Sequence, residues 1–323
     1  MAEAAQAGKK RNKTMIDERM EKMSECFERL RPRINDAIAK TDLEAVFSKL
    51  KELREPTIVT GVGGSSVVSA LFAKVIENKN HIICTEMMPR DLLYRDLSGY
   101  KNVVACSYSG GNIGVRASFD NDLKHYLFSA NVKDFAEPIH YIIEDEEWSF
   151  VSIAGTLVPM AILFLYYTDN NVDLLNEILD QSEAFDIDPA AEIYEIMFGY
   201  ENAVSATLLD SGITEGRLGA SVLHEKYNYC HGRSQLNECM HNDMVYYVRN
   251  SELDELFIKE LPDYYKHVIF VPCKYEDTVI GDFHTSWLSM QLVRQIAEAK
   301  GKDISEKNVP DISEILYTFK GRM

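Results

Sequence analysis

Short apolar runs alternate with amphipathic stretches along the first half of the chain. Runs rich in Val, Ile, Cys and Tyr predict buried strands, and the stretches between them, such as 67–77 and 115–123, predict helices. The predicted strands are 57–60, 81–85, 102–106, 125–128 and 139–143. Strand alternating with helix predicts a parallel sheet with helices on both faces, because each crossover carries the chain back to the edge where the next strand starts.

Apolar residues at three- and four-residue steps precede the first strand. Over residues 14–55 this spacing predicts two helices, separated at Pro32 because proline interrupts a helix. We expect their apolar stripe to form core or dimer contacts.

A second series of elements begins near Tyr194. It predicts strands at 206–209, 244–248 and 268–272, and helices at 217–229 and 287–299. We therefore expect an α/β chain with a tail and N-terminal helices in 1–45, a first domain in 46–190 and a second in 191–323.

The most apolar segment, 150–167, approaches the length of a membrane span. Four acidic residues precede it, Pro159 interrupts it, and no second apolar segment accompanies it. We interpret it as a buried helix that covers a sheet.

Charge and cysteine usage narrow the function classes. The net charge of −17 opposes binding to nucleic acid or to an anionic membrane, and the basic stretch at 9–13 is interpreted as a solvated chain end. The six cysteines are scattered without CxxC spacing, which is typical of a reducing cytoplasm. The N-terminus shows no apolar stretch of the secretory type, so we expect no export.

Two loops of small residues follow predicted strands. "GVGGSS" (61–66) follows the first strand and "SYSGGN" (107–112) follows the third. Free N–H groups at a helix start favour an anion, and serine hydroxyls add donors, so the loops predict a phosphate site. The alternative is that glycine and serine only make tight turns. Neither a GxGxxG pattern nor a P-loop lysine is present, which disfavours a nucleotide. The candidate phosphate-binding residues are Gly64, Ser65, Ser66, Ser107, Ser109, Gly110 and Asn112.

The order and spacing of these two loops resemble those of sugar isomerase (SIS) domain proteins, in which such turns hold the phosphate of a sugar phosphate. The resemblance implies two SIS lobes, each a parallel sheet flanked by helices in three αβα layers, preceded here by the N-terminal helices. Asn112 stands where the family has Thr or Ser.

Acidic and imidazole side chains cluster in "LHEKYNYCHGRSQLNECMHND" (223–243), as proton transfer beside a carbonyl requires, although a surface helix would look similar. In double-SIS enzymes a glutamate acts as base and a histidine sixteen residues later assists ring opening. Glu225 and His241 have this separation. "EKYNYCHG" (225–232) also resembles the fructosamine 6-phosphate deglycase branch, which adds His231 as a catalytic candidate.

Other positions depart from the family. Asn242 and Asp243 replace the usual Gly-Pro, and Ser313 and Glu314 lie near the position of the lysine of glucosamine-phosphate synthases, which disfavours synthase activity. Lys320 could replace that lysine only if the terminal segment folds back.

The resemblance implies a cytoplasmic homodimer or higher homo-oligomer that acts on a ketoamine or ketose 6-phosphate. We expect deglycase-like release of sugar phosphate and amine without a cofactor or metal. The alternatives are an aldose-ketose isomerase and a non-catalytic phosphosugar-binding regulator.

Overall fold

The computed structural model describes residues 20–240 and 242–307. Five parallel strands form the first sheet in the order β2-β1-β3-β4-β5. They are β1 (Thr57–Thr60), β2 (Cys84–Glu86), β3 (Asn102–Cys106), β4 (Lys124–Ser129) and β5 (Glu137–His140). All five strands predicted in this half are confirmed, with ends displaced by a few residues.

Four parallel strands form the second sheet in the order β7-β6-β8-β9. They are β6 (Ile193–Phe198), β7 (Ala220–Glu225), β8 (Asp243–Val248) and β9 (His267–Pro272). The α/β class with two parallel sheets flanked by helices is therefore confirmed, whereas the domain limits at 45/46 and 190/191 stay a prediction.

Eleven α-helices lie in the described part of the chain. They are α1 (Met23–Lys40), α2 (Leu43–Glu52), α3 (Gly64–Asn80), α4 (Ile113–Ser118), α5 (Ala154–Tyr167), α6 (Val172–Leu179), α7 (Ala203–Glu215), α8 (Lys226–Tyr229), α9 (Leu236–Cys239), α10 (Glu252–Tyr264) and α11 (Thr278–Ala299). Three short 3₁₀ turns, Asp91–Leu93, Tyr200–Asn202 and Arg233–Gln235, complete the set.

The N-terminal helices differ from the prediction in where they divide. Helix α1 continues through Pro32, and the division falls at Asp42, whose side chain accepts a hydrogen bond from the Ala45 N–H and caps α2. A proline deletes one backbone hydrogen bond. Burial of Leu30 and Ile34 on either side of it stabilises α1 enough to offset that loss.

The predictions at the start of the second half are wrong. Residues 206–209 lie inside α7, strand β6 occupies a stretch for which no strand was predicted, and the helix predicted at 217–229 is strand β7 followed by the single turn α8. Strands β6 and β7 escaped notice because Glu195 and His224 interrupt their apolar pattern, although both side chains are buried. The long C-terminal helix is confirmed but begins nine residues earlier than predicted, at Thr278.

Helix α5 is buried along almost its whole length, as predicted for the apolar segment. It packs against α1, α3 and α11, and the Phe164 ring lies 4.6 Å from that of Phe283 on α11. No helix in 20–240 or 242–307 is long and apolar enough to cross a membrane.

Helices α3, α7 and α11 are tied together by a buried ion pair. The Lys74 Nζ lies 2.6 Å from Asp282 Oδ2, and Asp282 also accepts hydrogen bonds from the N–H of Ser205 and from its hydroxyl. The helix that starts at the first glycine-rich loop is therefore fixed against α7.

Several predicted features lie outside the described residues. They are the basic stretch at 9–13, the start of the first predicted helix, His241, Ser313, Glu314 and Lys320.

Candidate functional site

The first loop of small residues joins β1 to α3. Gly63 has a φ of +62°, a conformation that favours glycine, and the Ser66 hydroxyl and N–H both donate to its carbonyl oxygen. A Cβ on Gly61 would lie 2.1 Å from the Ser65 carbonyl oxygen. Because the chain winds back so tightly, larger residues cannot replace this glycine and the first N–H groups of α3 face the turn.

The second loop joins β3 to α4 and is held by its own side chains. The Ser107 hydroxyl accepts a hydrogen bond from the Gly110 N–H at 3.1 Å, and the Asn112 side chain caps α4 by accepting from the Val115 N–H at 2.9 Å. Gly110 has a φ of +65°. Asn112 therefore shapes the loop, and its amide nitrogen lies 3.4 Å from the Ser107 hydroxyl.

The structure brings the two loops together at one edge of the sheet. Strands β1 and β3 are parallel neighbours, so their carboxyl ends meet. A Cβ on Gly114, at the start of α4, would lie 2.4 Å from the Val62 side chain of the first loop. Within 20–240 and 242–307 the hydroxyls of Ser65 and Ser109 make no hydrogen bond.

A third segment, which the sequence analysis missed, adjoins the first loop. A Cβ on Gly64 would lie 2.7 Å from the Thr156 hydroxyl and 3.8 Å from Cβ of Ser152. Ser152 is exposed and stands just before α5. A small polar residue at the start of the apolar segment was the available signal.

The start of α5 already holds an anion of the protein. The Glu147 Oε2 accepts hydrogen bonds from the N–H groups of Ile153, Ala154 and Gly155 at 2.8 to 3.3 Å. Burial raises the pKa of Glu147 to about 7, although these N–H groups oppose the rise.

Glu215 is the carboxylate that the structure places beside the loops, and sequence reasoning missed it. Its Oε1 lies 3.7 Å from the position that a Cβ would take on Gly63, and it accepts a hydrogen bond from the Ser211 hydroxyl at 2.9 Å. Burial raises the pKa of Glu215 above its usual range. The signal was present, since Glu215 precedes His231 by sixteen residues, the separation that the family resemblance implies.

Glu225 is not brought to the loops of its own chain. It ends β7, and its carboxylate caps α8 by accepting from the N–H groups of Tyr227 and Asn228. Glu215 lies at the opposite end of that strand, since Ala220, at the start of β7, follows it by five residues. A six-residue strand separates its ends by about 17 Å.

His231 also lies beyond this far end, on an exposed turn with Gly232 at a φ of +91°. The second histidine candidate, His241, is outside the described residues. Within 20–240 and 242–307, no group of three or more His, Cys, Asp or Glu side chains is arranged to hold a metal ion.

Solved structures share this fold at low sequence identity. The chain matches the C-terminal domain of glucosamine-fructose-6-phosphate aminotransferase from Francisella tularensis with a TM-score of 0.66 and 13% identity, over 88% of this chain and 98% of that one. It matches tagatose-6-phosphate ketose/aldose isomerase from Escherichia coli with a TM-score of 0.63 and 14% identity, over 87% and 95% of the two chains.

A third match is glucosamine-6-phosphate deaminase from Thermotoga maritima, with a TM-score of 0.61 and 13% identity, over 86% and 96%. Comparison of the sequence with protein-family models and with curated proteins gives no match. The fold implied by the resemblance to SIS-domain proteins is confirmed, and membership of the deglycase branch stays a prediction.

Proposed function

We propose that this protein binds a sugar 6-phosphate in the two loops of the first lobe and rearranges its open-chain form by proton transfer. The phosphate oxygens would accept hydrogen bonds from the Ser65 and Ser109 hydroxyls and from the N–H groups at the starts of α3 and α4. Two loops that touch at one sheet edge, with free hydroxyls, support a dianionic ligand.

Glu215 would be the general base, and its position beside Gly63 is the observation that carries the proposal. With the phosphate held at the loops, the sugar chain would extend toward this carboxylate, which would place C1 and C2 beside it. A base with a raised pKa is suited to take and return a proton near neutral pH.

The reaction balances without a redox step. Glu215 would remove the proton from the carbon next to the carbonyl or iminium carbon, and the electrons of that C–H bond would form the C=C bond of an enediol or enaminol. A former carbonyl oxygen would take a proton from water in this step. The neighbouring carbon would then take the proton back from Glu215. With nitrogen at C1 the product is an imine, which water hydrolyses to aldose phosphate and free amine. With oxygen at C1 the same steps are an isomerisation, the activity named for the Escherichia coli structure.

His231 would assist ring opening in the site of a second copy of the chain. In its own chain it follows the end of β7, whereas Glu215 precedes the start of that strand, and a six-residue strand spans about 17 Å. The proposal therefore includes the homodimer or higher homo-oligomer expected from the sequence, with sites shared between subunits.

The test compares Glu215→Gln with the matched variant Glu225→Gln. We expect Glu215→Gln to keep its affinity for glucose 6-phosphate while turnover falls by about 10² to 10⁴, and Glu225→Gln to stay within a fewfold of wild type. Assays would follow amine release from fructosamine 6-phosphates and interconversion of fructose and glucose 6-phosphates. The reverse result would restore Glu225 as the base, and binding with no turnover of any of these sugars would make the protein a phosphosugar-binding regulator.

The shared site is tested with heterodimers. Subunits carrying Glu215→Gln and His231→Ala, co-expressed with different tags and purified through both, retain one intact site of two. We expect about half of the wild-type turnover per dimer from that pair, whereas each variant alone is inactive. A heterodimer as inactive as its parents would contradict the sharing of His231.

A further inference from the structure

A buried polar cluster lies in the second lobe, away from the proposed site. Glu195 of β6 and His224 of β7 are 0% and 2% exposed, and the His224 Nε2 lies 2.8 Å from Glu195 Oε2. The Asn242 Nδ2 donates to the other carboxylate oxygen at 2.9 Å. Burying a carboxylate costs several kcal/mol even when it is paired, so the cluster calls for a role that apolar residues could not fill.

This cluster contacts residues near both ends of one segment, residues 226–240, here termed the His231 segment, with Asn242 close behind it. At one end the Tyr229 ring meets the His224 ring edge to face at 5.5 Å, and the Tyr229 hydroxyl lies 2.7 Å from that of Tyr265. At the other end Asn242 is the donor to Glu195.

Between these two anchors the segment is exposed. Residues 230–235 all face solvent, and the Asn237 amide donates to the Tyr264 carbonyl at 2.5 Å. An exposed turn that contains a glycine is flexible unless its ends are fixed. The position of His231 therefore depends on the contacts at the two ends of the segment, together with the hydrogen bond of Asn237.

We propose that Glu195 and His224 are positioning residues that hold the His231 segment in the conformation in which His231 enters the site of a second subunit. This inference rests on the proposed function. The pair contributes no group to the sugar and acts through the segment that it anchors.

Glu195→Met is the disruptive variant, because a thioether of similar size leaves the Asn242 amide without its acceptor and removes the carboxylate that lies 2.8 Å from His224 Nε2. Glu195→Gln is the conservative variant, because its carbonyl oxygen can still accept from Asn242. We expect Glu195→Met to lower kcat at least tenfold with KM for the sugar phosphate within twofold of wild type, since the phosphate loops belong to the other lobe. We expect Glu195→Gln to recover most of that kcat.

Heterodimers separate positioning from general damage. Glu195→Met should behave as His231→Ala does. Paired with a Glu215→Gln subunit it should give about half of wild-type turnover, and paired with a His231→Ala subunit it should give almost none. Recovery with His231→Ala, or an equal loss in both pairings, would overturn the inference.

Hydrogen exchange tests the anchoring without any activity. We expect peptides within 226–240 to exchange at least tenfold faster in Glu195→Met, with the loops at 61–66 and 107–112 unchanged. Tyr247→Phe is the control, because it removes a buried hydrogen bond to Ser289 on the opposite face of the same sheet. Unchanged exchange in the segment would overturn the positioning role even if His231 proves catalytic.

If Glu195→Met fails to fold, Asn242→Ala is the second variant, because it removes only the hydrogen bond from Asn242 to Glu195. We expect the same changes in kcat, in the heterodimers and in hydrogen exchange. Failure of the Glu215→Gln and His231→Ala pair to recover activity would instead count against the proposed function, whatever the exchange data show.

Discussion

The carboxyl-end edges of the two sheets share one architecture and differ in what fills them. In the first lobe the loops at this edge consist of small residues, and the Ser65 and Ser109 hydroxyls are left without partners in the described chain. In the second lobe the Lys226 Nζ occupies the edge, 3.1 Å from carboxylate oxygens of Glu201 and Asp254. Among the described residues, the protein's own ion pairs therefore fill this edge of the second lobe, whereas small residues line the same edge of the first lobe.

Asp254 is the centre of the filled edge. It is fully buried and accepts hydrogen bonds from the Tyr246 hydroxyl at 2.5 Å and from the N–H groups of Arg249 and Ser251. Although burial opposes it, these hydrogen bonds lower the pKa of Asp254 to about 2. This edge is therefore built for stability.

Removal of Asp254 should have the largest effect. Asp254→Ala leaves Lys226 and Tyr246 with unmet partners in a buried site, and we expect the free energy of unfolding to fall by about 4 kcal/mol. Urea unfolding measures the loss. The affinity of the folded variant for glucose 6-phosphate should stay within twofold of wild type. A marked loss of affinity would contradict the idea that the second edge serves stability and the first edge serves binding.

The pKa of Glu147 in the first lobe is shifted in the direction opposite to that of Asp254, so its contribution to stability should depend on pH in the opposite sense. Its folded pKa is raised from 4.5 to about 7, so the folded state binds the proton more tightly than the unfolded chain. Its contribution to stability is therefore present below pH 4.5 and is lost as the pH rises through 7. Since one pKa unit corresponds to about 1.36 kcal/mol, the loss amounts to about 3 kcal/mol.

The measurement is the difference in unfolding free energy between wild type and Glu147→Gln from pH 4.5 to 8. The amide keeps an acceptor for the N–H groups of α5 and does not titrate, so other groups cancel in the difference. If this difference does not change between pH 4.5 and 8, the pKa of Glu147 is not raised in the folded protein.

The smallest expected effect concerns Gly64. A Cβ there would approach the Thr156 hydroxyl to 2.7 Å, and we expect Gly64→Ala to displace the first loop and weaken glucose 6-phosphate binding by about tenfold, or about 1.4 kcal/mol. Gly99→Ala is the matched control, because no atom lies within 4 Å of its Cβ. Equal affinities for the two variants, measured by calorimetry, would mean that the loop tolerates the shift.

The first lobe was predictable because its central strands, β1 and β3, are buried along their whole length. Their ends, and with them the two loops, could therefore be located from composition alone. That the loops touch follows from parallel pairing, which the alternation of elements already implied. Ser152 is visible in the sequence as a small polar residue at the start of the apolar segment, but its proximity to the first loop was not predictable, because nearly ninety residues of sequence separate the two.

The second lobe was less predictable because polar residues sit inside its strands. Glu195 and His224 interrupt the apolar pattern of β6 and β7, so these strands were not predicted. The apolar spacing of 206–209 suits a strand as well as the helix to which these residues belong. Because β7 was mistaken for a helix, Glu225 was predicted to lie beside the two loops. In the structure Glu215 lies beside the first of them. Only the packing of α7 against α3, fixed by Lys74 and Asp282, brings that carboxylate to Gly63.

The burial of α5 has a consequence for how the protein is made. Helix α11, which covers it through contacts such as Phe164 with Phe283, lies more than a hundred residues further along the chain. Until α11 has left the ribosome, the apolar surface of α5 stays exposed in the nascent chain, and chaperones would bind that surface. A version of the protein reduced to the first lobe, for example to build a sugar-phosphate sensor, would have to retain α11 or replace the apolar residues that α11 covers.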